Sequence, residues 1–135
     1  MAVQLSVAVR NAMLDAIETA VGTSAVLKIR TGAQPATVAT SDSGTVLATL
    51  NLPSDWMAAA ASGVKALAGS WTDASADATG TAAHYRIYAS DGTTAHLQGS
   101  VTATSGGGDI ELQNTSLAAA QAVTITTFTL TAANA

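Results

Sequence analysis

The sequence predicts a mainly β protein: a single β-sandwich or jelly-roll-like domain of about seven or eight strands, preceded by one N-terminal α-helix. Three observations carry that reading. The hydrophobic period is 3.6 residues up to Gly22 and 2 beyond it. Gly, Pro, Asn, Asp and Ser punctuate the remainder at short intervals, as in all-β domains. The 135 residues fit one domain, with 1–22 as the helical segment and 23–135 as the sandwich.

In the helix, Val9, Ala12, Met13, Ala16, Ile17 and Ala20 recur at i, i+3, i+4, i+7 spacing and form one apolar face. Arg10, Asn11, Asp15, Glu18 and Thr19 fall mostly on the other side. Ser6 suits an N-cap, and Gly22 a C-terminal stop. Residues 26–31 then alternate Leu27 and Ile29 against Lys28 and Arg30, a half-buried strand. Residues 45–52 repeat the alternation through Val46, Ala48, Leu50 and Leu52, and Pro53 ends it. Ser54 resembles the N-cap of a short helical turn over 55–61. Residues 64–72 read as a weakly patterned strand and 73–80 as a loop.

Residues 81–89 and 93–104 read as a hairpin. A two-residue turn at Asp91-Gly92 would set Ile87 against His96 and put the apolar faces out of phase. A three-residue loop, Ser90-Asp91-Gly92, pairs Tyr85 with Leu97 and Ile87 with Ala95, so this register is expected. It leaves His84, Arg86, His96 and Gln98 together on the second face. Gly106-Gly107-Gly108 connects to a short strand over 109–114, and 116–121 is a loop of small residues. In the last strand, 123–131, apolar parity switches between Ile125 and Phe128, which implies a bulge or burial on both faces.

Composition limits the functional classes. Five Lys and Arg against nine Asp and Glu, with a pI near 4.7, argue against nucleic acid as a partner. No apolar run reaches the roughly 18–20 residues of a membrane span. Arg10, Asp15 and Glu18 interrupt what would be the apolar stretch of a signal peptide. Zero Cys removes disulfides and thiol chemistry. Ala supplies 31 residues, while Leu, Ile, Val and Phe together supply 27, so the core has little bulk and neighbours are expected to add stability.

No catalytic, metal or cofactor constellation emerges. His84 and His96 lack a third ligand and have Arg86 nearby, so they read as solvated or interface histidines. No G-x-S-x-G elbow is present, and the triple glycine lacks a following Lys and helix. Asp73, Asp77, Asp91 and Asp109 suit turn chemistry better than calcium. Trp56 and Met57 form a turn suited to an interface anchor, with Met13 and Ile17 of the helix as the competing candidates.

Several stretches resemble small proteins encoded in the virion-structure regions of tailed bacteriophages and prophages. They are residues 11–18, Leu27 to Gly32, Leu50 to Trp56, Tyr85 to Thr93 and Thr126 to Thr131, which span nearly the whole chain. The resemblance implies a non-enzymatic virion component made in the host cytoplasm. The expected role is capsid decoration (cement): binding the major capsid protein or other virion proteins as a homodimer or homotrimer. A tail or neck component is the alternative, and a small carbohydrate-binding β-sandwich the third reading. No cofactor is expected.

Overall fold

The change of period at Gly22 is where the backbone changes form. The computed structural model describes residues 3–134. Helix α1 spans Val7–Val21, with the Ser6 hydroxyl accepting from the Val9 N–H and the Gly22 N–H donating to the Glu18 carbonyl. Beyond it, every regular element among the described residues is a strand. β1 (Val26–Arg30), β2 (Val46–Asn51), β6 (His84–Tyr88), β7 (Ala95–Ala103) and β8 (Ile110–Leu112) form one sheet in the order β2-β1-β6-β7-β8. Three two-stranded ribbons complete it. They pair β3 (Val64–Ala66) with β11 (Thr129–Thr131), β4 (Trp71–Asp73) with β10 (Val123–Ile125), and β5 (Gly80–Thr81) with β9 (Ser116–Leu117). The mainly β character and the leading helix match the sequence reading. The described strands number eleven rather than seven or eight, because the predicted strands 64–72, 81–89 and 123–131 each break where they change partner, and the expected loop 116–121 begins as β9, paired with β5.

The hairpin register differs from the expected one. Tyr85 lies opposite Gly99 and Ile87 opposite Leu97, while Tyr88 pairs with Ala95. The loop is longer than expected: the Ala89 N–H bonds to the Thr94 carbonyl, and the Asp91 carboxylate accepts the N–H groups of Thr93 and Thr94. That closure alone would put the apolar faces out of phase. His96 restores the phase as the extra residue of a bulge, so burial set the register but the bulge, not the loop length, delivered it. His96 is exposed, and Arg86 faces Gln98.

The core lies on the face built by Leu27, Ile29, Ala48, Leu50 and Ile87, all fully buried. Trp71 sits centrally, with its ring centroid 5.9 Å from Trp56 and 5.3 Å from Phe128, and Tyr85 meets Phe128 edge-on at 5.7 Å. These aromatics supply bulk that the alanines lack. The parity switch near the C-terminus resolves as two strands, β10 and β11, each with its own partner.

The expected helical turn over 55–61 is absent. Met57 and Ala61 instead bridge to Leu67 and Val64, closed by a turn in which Ser62 and Gly63 have φ of 54° and 75°. Two successive positive φ values make a hairpin turn, which overrides the N-cap signal at Ser54.

β7 and β8 run parallel, although only residues 104–109 join them. The connection folds tightly onto Thr102. A Cβ on Gly108 would lie 2.8 Å from the Thr102 hydroxyl oxygen and 3.0 Å from its backbone nitrogen. Gly108→Ala should therefore destabilise by about 1–3 kcal/mol, measured by urea unfolding. An unchanged midpoint would show that this loop is not tightly packed.

Candidate functional site

Helix α1 docks by its polar side. Lys65 on β3, only 1% exposed, places its ammonium 2.7 Å from Asp15 Oδ1 and 2.8 Å from Glu18 Oε2, and donates to the Ala58 carbonyl. Asp15 also accepts from the Ala60 N–H, Glu18 from the Met57 N–H, and Asn11 from the Gly63 N–H. Arg10 donates to the Ala132 carbonyl. Leu14 and Val21 are the helix's buried apolar residues. The hydrogen bond from Lys65 is the main cause holding the Asp15 carboxyl below its ordinary range. Burial presses the Lys65 pKa down, but the two carboxylates outweigh it and hold the ammonium above its usual value.

The face predicted to be buried is consequently outside. Val9 and Met13 are 46% and 51% exposed, and Ala12, Ala16 and Ala20 are exposed as well. All the large apolar side chains that are exposed among the described residues are Val3, Val7, Val9, Met13 and Val64. They occupy the N-terminal segment and the strand against which it packs. Of the candidate interface residues, Met13 is exposed and Ile17 half-buried. Trp56 and Met57 are not surface anchors: they are 0% and 1% exposed. The Trp56 indole N–H donates to the Gly22 carbonyl, and the hairpin turn carries both side chains inward.

A second polar cluster lies on the sheet face opposite the core, beneath the strap of residues 32–44. Asp42 accepts from Arg30 Nη2 at 2.7 Å, from Arg86 Nη1 at 2.6 Å and from the Tyr88 hydroxyl at 2.8 Å. Arg86, 2% exposed, also reaches the carbonyls of Thr37, Val38 and Thr40 and the Gln98 side chain. Gln98 in turn donates to the Pro35 carbonyl. Burial raises the Asp42 pKa, but the Arg86 and Tyr88 hydrogen bonds and both guanidinium charges outweigh it, so the carboxyl titrates below its ordinary range.

His84 is buried beneath this strap, not solvated. Its Nδ1 lies 2.9 Å from the Gly32 carbonyl, so Nδ1 carries the proton, and the buried Nε2 has no partner among the described residues. Burial first, then Arg30 and Arg86, lower its pKa against the opposing pull of Gly32 and Asp42. The unfolded chain therefore takes up this proton first. Stability should fall as pH drops below about 6.5 towards the folded value, then level off. The Asp15 and Asp42 contributions are present above their unfolded value and vanish as pH falls through the lower folded values. The Lys65 contribution is lost as pH rises through its raised value. Melting temperature against pH should form a plateau from about 7 to about 10, and His84→Gln should erase only the first acid-side step. An identical profile in His84→Gln would refute this assignment.

The loop acids are spent on local structure. Asp73 accepts from the Ser75 and Thr49 N–H groups, and Asp109 from the Ser100 N–H and hydroxyl. The glycine-rich connection does form an anion cradle, and the chain fills it itself: Ser105 and Gly107 N–H groups donate to Glu111. Among the described residues no three His, Asp or Glu side chains converge as a metal site would require.

Sequence reasoning missed Lys65, Asp42 and the burial of Arg86. A faint signal existed for Lys65: Asp15 and Glu18, one turn apart, have no cation at helical spacing and so require one from elsewhere. No family model matches the chain, and neither a curated protein nor a solved structure matches it.

Proposed function

We propose that the chain is a non-enzymatic structural protein of a tailed-phage virion, a decoration protein that binds the major capsid protein lattice as a homo-oligomer and stabilises the head. The observation that carries this reading is the inverted helix. Every charged side chain of α1 is engaged with the domain, while Val9, Met13, Ala12, Ala16 and Ala20 face out. An uncharged apolar face held by ionic ties suits a protein that works by association. The resemblance of nearly the whole chain to virion-region proteins supplies the setting. In this reading the sheet and ribbons pack as a sandwich, rigid enough to be held in many copies. All five aromatic side chains are buried, so none offers a stacking face for a sugar.

The test adds purified protein to heads lacking it, followed by cryo-EM and thermal challenge. Density at regular sites on the capsid and a higher rupture temperature are expected. Density confined to the neck or tail would replace this reading with a tail-completion or fibre-attachment role, and absence of binding would remove it.

A further inference from the structure

We propose that the outer face of α1 is a two-fold, antiparallel interface with a second copy of this chain. The inference stands on the helix itself and goes beyond the virion reading. Two adjacent i, i+4 rows run along the exposed side. One row is Ala8, Ala12, Ala16 and Ala20, all exposed. The other is Val9, Met13 and Ile17, the first two exposed and the third half-buried. The first row is a shallow trough and the second a ridge.

The two rows are complementary when the helix is reversed. An antiparallel partner centred between Leu14 and Asp15 sets Val9 against Ala20, Met13 against Ala16 and Ile17 against Ala12. Each larger side chain meets an alanine, and the two-fold axis repeats every contact. Alanines allow close approach of the two backbones, and the face carries no charge to desolvate. Thr19 is the polar residue on this side, and its hydroxyl donates to the Asp15 carbonyl within the same helix.

The fit of the two rows argues for a second copy, and the area makes the pair a modest one. The outer half of a helix about 22 Å long and about 10 Å across exposes on the order of 400 Å². Two such faces bury on the order of 800 Å², below the ~1,200 Å² at the lower edge of stable interfaces, as in weak, transient pairs. The pair should therefore dissociate on dilution. A lipid surface is the weaker fit, because the face has no Lys or Arg to meet headgroups.

Sedimentation equilibrium from about 1 to about 500 µM decides the matter. The wild-type mass should rise from 13.3 kDa towards twice that value. Met13→Glu and Ala16→Glu should remain monomeric with unchanged circular dichroism, since both side chains point away from the domain. Because the chain has no Cys, the register is testable by mixing Met13→Cys with Ala16→Cys. Mixed disulfides should outnumber those formed by either variant alone. A wild type that stays at 13.3 kDa, or a dimer that Ala16→Glu leaves intact, would overturn the proposal. So would disulfides with no preference for the mixed pair, or binding to neutral phosphatidylcholine vesicles without self-association.

Discussion

Arg86→Ala is expected to lower the free energy of unfolding by about 3–5 kcal/mol, the cost of removing one partner from a buried ion pair. The guanidinium is the hub between sheet and strap. It bridges Asp42, three carbonyls of the strap and Gln98, and its truncation leaves all of them facing a cavity. Arg86→Lys keeps the charge but loses the planar fork, so it should restore only part of the loss. Asp42→Asn should cost less than Arg86→Ala, because the Asp42 side chain is 34% exposed and water can replace some of its partners. Urea unfolding gives the size of each effect. Limited proteolysis gives its place: cleavage within residues 32–44 should precede cleavage elsewhere in Arg86→Ala. Cleavage that begins in α1 would contradict the hub role.

Lys65→Ala should be the next most damaging change, at about 3 kcal/mol, and its damage should be local to the helix. The ammonium is buried while Asp15 and Glu18 retain solvent contact, so the stranded carboxylates can be rehydrated. That places the cost at the lower end of the range for a broken buried pair. Lys65→Met restores most of the packing without the charge and should recover a fraction. Amide exchange should show α1 opening independently in Lys65→Ala while the five-stranded sheet keeps its protection. Loss of protection throughout the sheet at the same rate would show that the helix is not a separately fastened element.

Local features were legible in the sequence where one periodicity dominated. α1 with its Ser6 and Gly22 ends, β1, β2 and the face shared by Tyr85, Ile87 and Leu97 follow from apolar spacing and capping alone. What could not be read is which side of an amphipathic helix faces the domain. Burial of the apolar side is the usual outcome, but three polar residues, Asn11, Asp15 and Glu18, find N–H donors on the 57–63 segment and an ammonium from β3. Those partners are some 40 to 50 positions away, beyond any local pattern. The strap escaped detection for a similar reason. Residues 32–44 have the composition of a loop, and only their contact with the face carrying Arg30, His84, Arg86 and Tyr88 shows that they cover a second buried layer. The bulge at His96 is a tertiary choice too, made where loop length and apolar phase disagree.

The inverted orientation of α1 underlies both the association role and the paired helices, and thiol accessibility tests it most directly. The single variants Met13→Cys, Ala16→Cys and Leu14→Cys would be treated with a water-soluble thiol reagent, first at low and then at high protein concentration. At low concentration the thiols at positions 13 and 16 should react as fast as in an unfolded peptide, and the thiol at position 14 only as fast as the protein opens. At high concentration positions 13 and 16 should become protected. Rapid reaction at position 14 with slow reaction at 13 and 16 in dilute protein would mean that the apolar face is buried in the domain, and the account would fail.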